Sequence, residues 1–194
     1  MPIAHELTPE ATNPEPGRVI LLNGTSSSGK SSIAAELLTT LDGPWYHLAV
    51  DHCHRIRSRH PWTENEFLPI FQRTLLGFHR MVAGMAAAGN DVVVDHILSE
   101  DWRLTDCLEV FAGLDLYYIG IHCSLPELER READRGDRTT GLAALQYPLV
   151  HRHGVYDLEV DSEKHDPTTC ATKIRTRLTQ SPPTAFPTLR KSFG

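Results

Sequence analysis

The chain has 194 residues and a formal net charge of −6, with 40% hydrophobic and 23% charged residues. That length suits one domain with a proper core, since folding at this size removes about 70% of the unfolded surface from water. The composition excludes wholesale disorder, a collagen and a disulfide-stapled miniprotein, and the acidic balance argues against a general nucleic-acid or membrane-surface binder.

Taken in order, residues 1–17 are acidic and Pro-containing, without the basic and apolar regions of a signal peptide, and read as a flexible leader. Val19–Leu22 is a continuous apolar run, as expected of a strand buried on both faces. Ser31–Leu41 places Ile33, Leu37, Leu38 and Leu41 on one helical stripe. Trp45–Val50 reads as a second strand and Glu64–Ala88 as mostly helix, stopped by Gly89. Val92–Val94 follows as a β-branched third strand, Trp102–Phe111 as helix, and Leu116–Ile121 as a fourth strand. Pro126–Ala133 is helical, Val155–Val160 closes the set as a fifth strand, and Thr168–Leu178 is helical after it. Five alternations of strand and helix predict an α/β domain over 18–180, a five-stranded mainly parallel sheet with helices on both faces. Residues 181–194, with three prolines near their start, read as a poorly ordered tail.

The four cysteines (Cys53, Cys107, Cys123, Cys170) form no C-x-x-C pair, and no apolar run approaches the roughly 18 residues of a membrane helix. Reduced thiols in a cytoplasmic protein are the expectation.

Directly after the first strand stands Gly24-Thr25-Ser26-Ser27-Ser28-Gly29-Lys30-Ser31, which satisfies G-x-x-x-x-G-K-[ST]. The glycines let successive backbone N–H groups point into one anion-sized hollow. In such a loop the Lys30 charge reaches the β- and γ-phosphates of a nucleotide, the Ser31 hydroxyl binds Mg²⁺, and the following helix aims its positive end at the same phosphates. Ser32 completes the candidate nucleotide-binding set. A buried strand before the motif and an amphipathic helix after it supply the context that a bare Ser/Gly turn would lack.

Ligands of open α/β sheets sit beyond the carboxyl ends of the strands, so acids just past those ends are candidates. Asp95 ends Val92-Val93-Val94-Asp95, with the form of a Walker B element that holds or orients Mg²⁺. Asp51 ends Leu48-Ala49-Val50-Asp51, placed to accept the proton of an attacking hydroxyl. A helix N-cap is the plain alternative for either acid, and their roles are exchangeable at this level. Downstream, Glu129–Arg138 carries four arginines broken by Gly136. Arg135 and Arg138, around the glycine, suit a lid over about 130–145 that brings forked cations to a moving phosphoryl. Arg130 and Arg131 read as decoration of a helix whose acids alternate with them.

Eleven histidines include His52-x-His54 beside Asp51, but no ligand spacing for zinc follows, so His52, His54 and His96 read as residues in or near a substrate cleft. His151 and His153 read as an exposed helix end. Trp62, Phe67, Phe71 and Phe78 are spaced like a helix face, with core packing as the default and an acceptor wall as the alternative.

The runs ILLNGTSSSGKSS, VDHC, VVVDHIL and ADRGDRTTGLAALQYPLVHRHGVYDLEVDS together resemble the chloramphenicol phosphotransferase-like kinases, small P-loop enzymes of the nucleoside-monophosphate-kinase type. The resemblance implies ATP- and Mg²⁺-dependent phosphorylation of a hydroxyl on a small acceptor, chloramphenicol or a related antibiotic among the candidates. It also implies Asp51 as base, Lys30 and Ser31 as nucleotide and Mg²⁺ contacts, and Arg135 and Arg138 as lid arginines. Residues 52–80 depart from the antibiotic-modifying pattern, and Arg55, Arg57 and Arg59 suggest an anionic or polar acceptor. A nucleoside or polynucleotide-end kinase and a nucleotide-dependent switch are the alternatives. Net negative charge weighs against the long nucleic-acid acceptor, and no N-K-x-D-like guanine reader is present.

Overall fold

The computed structural model describes residues 15–135 and 141–193. Its strands are β1 (Val19–Asn23), β2 (Trp45–Ala49), β3 (Asp91–His96), β4 (Leu116–His122) and β5 (Leu158–Asp161). The helices are α1 (Lys30–Thr40), α2 (Val50–Ile56), α3 (Glu64–Ala87), α4 (Asp101–Val110), α5 (Leu125–Arg135), α6 (Leu142–Val150), α7 (Pro167–Gln180) and α8 (Ala185–Phe193). The strands form one sheet in the order β2-β3-β1-β4-β5, and every pairing is parallel.

The alternation of β1 explains the layering. Val19 and Leu21 face one side, packed with Phe78 and Val82 of α3, Phe111 just past α4, and Phe186 of α8. Ile20 and Leu22 face the other, with Ile33 and Leu37 of α1 and Ile174 of α7. No β1 residue reaches solvent, which is why its sequence is an unbroken apolar run instead of an alternating one. Leu38 is the exception to the predicted α1 stripe: it is exposed, and Ala34 takes the buried place, because a stripe one turn higher meets α7. The fifth strand starts at Leu158, and Val155–Asp157 lead into it as irregular chain.

Register brings the chemistry together. Ala49 of β2 lies opposite Asp95, and Asp95 lies opposite Leu22. The ends of β2, β3 and β1 therefore stand side by side at the edge where a doubly wound sheet takes its ligand.

The C-terminal segment is not the poorly ordered tail that its prolines suggested. Residues 185–193 form α8, with Ala185, Phe186 and Leu189 buried in the sheet-side core. Proline ends α7 and redirects the chain, and the three apolar side chains, at i, i+1 and i+4, make one face. Asp157 anchors the turn: its carboxylate accepts hydrogen bonds from the backbone N–H groups of Thr184 (2.6 Å), Ala185 (3.2 Å) and Tyr118 (2.9 Å). Phe186→Ala is expected to destabilise the fold by about 3–5 kcal/mol, since it empties a site between Phe111 and Tyr118. Chemical denaturation would read this as a lower midpoint, and an unchanged midpoint would mean that α8 is not part of the core.

Of the expected lid, the flanks are helices α5 and α6; Arg138 and the rest of 136–140 lie outside the described residues, as do residues 1–14 of the leader. Glu132, itself buried, accepts from the N–H groups of Gly141 (2.7 Å) and Ala143 (3.2 Å), and so caps α6 against α5. No helix among the described residues is long and apolar enough to cross a membrane.

Candidate functional site

The loop between β1 and α1 is held by local sterics. A side chain at position 24 would place its Cβ 2.6 Å from the Ser28 Oγ and 2.7 Å from the Ile121 carbonyl oxygen, so only glycine fits. Gly29 has φ 84° at the start of α1, a left-handed conformation that favours glycine for the opposite reason, backbone and not space. The result is a tight loop that ends at the N-terminus of α1. Thr25, Ser26 and Ser28 are buried, and the Ser26 and Ser27 hydroxyls have no hydrogen-bond partner among the described residues. Buried hydroxyl donors without partners are costly unless a ligand takes them, which fits an oxyanion ligand such as a nucleotide phosphate. The Ser26 N–H meets the Gln146 side-chain oxygen of α6 at 2.7 Å, so one amide of the cradle already faces an oxygen.

Lys30 is buried at the base of the loop. Its ammonium donates to the Thr25 carbonyl (2.7 Å) and lies 3.8 Å from Asp95 Oδ1. The other oxygen of Asp95 accepts from the Ser31 hydroxyl at 2.5 Å. A hydroxyl and a carboxylate in contact beside the phosphate hollow are hard oxygen donors of the kind that Mg²⁺ takes alongside phosphate and water. The residues present therefore fit a magnesium–nucleotide complex. Asp51 sits in the first turn of α2, two residues past the end of β2, and lines the same cleft.

That cleft has a volume of 1190 Å³ and two unlike halves. On one side, beyond the phosphate loop, stand Arg131, Arg135 and the loop from Ser162 to Pro167. Arg131 is not mere helix decoration: Glu127 holds its Nε at 2.7 Å, and its fork donates to the Ser162 carbonyl at 2.9 Å and hydroxyl at 3.3 Å. The pairing with Arg130 and Arg131 pulls the Glu127 carboxyl down to about 2. Arg130 keeps its expected surface role, bound to Glu127 and Asp134. Arg135 ends α5 at the cleft.

The lining also holds an apolar group in which His54, Phe67, Phe71 and Arg103 touch one another, with Leu75, Leu145, Leu149 and Asp51 elsewhere on the same wall. Phe67 and Phe71 stack nearly parallel at 5.7 Å, and His54 stacks on Phe71 at 5.8 Å. Of the four spaced aromatics, Phe78 alone is core; Phe67 is half-exposed at 51% and faces the cleft. Arg55, Arg57 and Arg59 do not line it. Arg57 lies over the Trp62 ring at 4.0 Å, and all three are exposed. The charge argument for an anionic acceptor loses its footing, because Arg55 at the end of α2 and Arg57 and Arg59 after it are exposed to solvent outside the cleft.

His54 and His96 reach the cleft, whereas His52 instead meets His47. His96 is buried and paired with His79, and burial lowers the pKa of both, most strongly for His96. His151 and His153 are not an exposed helix end. His151 stacks on His122 at 4.0 Å and bonds Tyr156, and His153 bonds the buried Tyr118 hydroxyl; burial lowers His151 to about 4. All four thiols are free, and Cys107 stands close to the paired imidazoles.

A five-stranded parallel sheet with a glycine-rich phosphate cradle at the end of its central strand, and acids at the ends of the two strands on one side of it, defines the P-loop kinases. Solved structures of that class share the fold. The APS kinase CysC of Mycobacterium tuberculosis, in complex with AMPPNP and APS, superposes with a TM-score of 0.66 at 22% identity, covering 85% of this chain and 99% of that one. A tunicamycin resistance protein of Deinococcus radiodurans gives 0.61 at 15% identity, covering 86% and 98%. A gluconokinase of Sinorhizobium meliloti gives 0.56 at 19%, covering 86% and 95%.

The model of the chloramphenicol phosphotransferase-like protein family matches residues 17–179, and this chain belongs to that family. It is also 28% identical over 214 residues to a Mycobacterium tuberculosis (strain H37Rv) protein provisionally named an O-phosphotransferase, covering 97% of this chain and 94% of the other. The chain is accordingly a kinase-type phosphotransferase with a nucleotide-binding P-loop.

Proposed function

We propose that the chain transfers the γ-phosphoryl group of ATP to a hydroxyl of a small, largely apolar acceptor. The observation that carries this reading is one cleft that holds both a phosphate cradle, with Lys30, Ser31 and Asp95 together, and an aromatic group, with Asp51 on the same lining. In this reading the nucleotide phosphates lie on Gly24, Thr25, Ser26, Ser27, Ser28, Gly29, Lys30, Ser31 and Ser32, and Arg131 and Arg135 flank the nucleotide. Bound Mg²⁺, held through Ser31 and Asp95, would neutralise charge on the β- and γ-phosphates.

Asp51 accepts the proton of the acceptor hydroxyl as its oxygen bonds to the γ-phosphorus. The bond from that phosphorus to the β–γ bridging oxygen breaks, and ADP leaves. Lys30 stabilises the charge on the moving phosphoryl, together with Arg135. The kinase unit extends through α8. The enzyme works on cytoplasmic ATP, and its aromatic wall suits an antibiotic-like acceptor better than a long nucleic acid.

The test is coupled ADP release with Mg·ATP across small hydroxylated acceptors, chloramphenicol among them. Acceptor-stimulated release is the expected result; slow release indifferent to every acceptor and to substitution of Asp51 would overturn the kinase reading. With a responsive acceptor, Phe71→Ala should raise the acceptor KM about tenfold by removing stacking area. The KM for ATP should stay unchanged, and a shift in that constant instead would move the aromatic wall to the nucleotide side.

A further inference from the structure

Beneath the acceptor half of the cleft lies a chain of hydrogen bonds that the phosphoryl-transfer reading does not use. Asp106 of α4 contacts His79 Nδ1 of α3 at 2.5 Å, and His79 Nε2 contacts His96 Nε2 at 2.8 Å. The His79 ring is completely buried, with Phe78 and Phe111 against it. Arg80 grips both oxygens of Asp106, at 3.1 and 3.2 Å, from the outer surface.

The polarity of this chain follows from its first member. A carboxylate can only accept, so His79 carries its proton on Nδ1. Burial lowers the pKa of the His79 ring against the pull of Asp106 and so favours the neutral form, with a lone pair on Nε2. Two facing ring nitrogens at 2.8 Å need one hydrogen between them, so His96 must donate from Nε2. The remaining nitrogen of His96, Nδ1, is then an acceptor, on a residue that lines the cleft.

We propose that the Asp106–His79–His96 chain locks His96 in the Nε2–H form, so that its Nδ1 accepts a hydrogen bond from a donor group of the acceptor substrate. A hydroxyl or amide N–H meets this need, and an ether or carbonyl does not. His96 is thus a specificity-determining contact, and His79 and Asp106 are positioning residues. Cys107, whose Sγ is within 4.8 Å of the ring nitrogens, completes the trio of a conceivable metal site. The direct bond between the two imidazoles already fills the space where a metal would sit, and burial raises the thiol well above its usual range. The proposal rests on the kinase reading only for the identity of the partner.

The experiment is long-range ¹H–¹⁵N correlation on the ¹⁵N-labelled, ligand-free full chain, with resonances assigned through His79→Gln and His96→Gln. A single His96 form with protonated Nε2 and unprotonated Nδ1 is expected. Asp106→Ala should convert it to a mixture of tautomers while the folded chain retains its circular dichroism. Addition of Mg·AMPPNP should leave His96 in that form, with Nδ1 unprotonated. A protonated Nδ1, or a His96 signal indifferent to Asp106→Ala, would overturn the lock. A change of tautomer or a proton gained on Nδ1 on adding Mg·AMPPNP would assign the nitrogen to the nucleotide half and overturn the acceptor contact. One equivalent of zinc in the purified chain, lost in Cys107→Ser, would replace the lock with a metal site. Failure of the kinase reading would appear separately, as absent AMPPNP binding or acceptor-independent ADP release, with the tautomer result unaffected.

Discussion

Asp51→Asn is expected to lower kcat by about 10²–10⁴-fold while leaving the affinity for AMPPNP within twofold. The asparagine has nearly the same shape and sits in the first turn of an exposed helix, so neither the sheet nor the phosphate cradle should change. What is lost is a carboxylate able to take a proton at the junction between the two halves of the cleft. The loss should fall equally on kcat and kcat/KM for the acceptor, since the interaction is made only as the hydroxyl oxygen gains its bond to phosphorus. Steady-state kinetics with a responsive acceptor and calorimetric titration of the nucleotide would read both halves of the prediction. Unchanged turnover would remove Asp51 as the base and direct attention to Asp95, the other acid of the pair, whose oxygens are engaged by Ser31 and Lys30.

Lys30→Ala is expected to weaken Mg·ATP binding and to cut kcat/KM by about 10²–10³-fold. Its cation is desolvated at the floor of the loop, so its charge is worth more there than in water. Removing it also leaves Asp95 without its cationic neighbour and takes the shorter of two hydrogen bonds from the Thr25 carbonyl, which keeps the Ser28 N–H at 3.3 Å. Lys30→Arg should not restore activity. The planar fork is wider than an ammonium and has to enter a loop in which Lys30 already contacts the Thr25 carbonyl and the Ser28 hydroxyl. Full activity in either variant would overturn the phosphate-cradle assignment. A thermal shift assay on the ligand-free variants separates loss of function from loss of fold.

The contrast between these two residues and the rest of the cleft shows what a sequence makes legible. Lys30 and Ser31 stand in a motif of fixed spacing, because phosphate groups of fixed size dictate where each donor must be. Asp51 and Asp95 were found from the ends of apolar runs, because a parallel sheet presents its ligand at those ends whatever the remainder of the chain does. The sheet itself was readable for a similar reason: Val19–Leu22 and Val92–Val94 must be apolar on both faces when helices cover both.

Arg131 could not be told from Arg130 in this way. Both lie on α5 among alternating acids, and only the approach of Ser162, 31 residues later, turns one of them into the cleft. Phe67 and Phe71 carry the same helical spacing as the buried Phe78, and the direction in which α3 runs past the end of the sheet decides which of them meets a ligand.

By itself, the sequence determined the α/β class, the strand that carries the phosphate loop, and the acids at the strand ends, since each follows from chemistry within a few neighbouring residues. Tertiary structure alone decided that the Pro-rich end returns as α8 through Asp157, that the arginines of 55–59 leave the cleft, and that Asp106, His79 and His96 form one chain. Those pairings join residues 17 to 27 positions apart, through hydrogen bonds whose partners are chosen by packing and desolvation, and no local pattern records which partner a buried polar group will find.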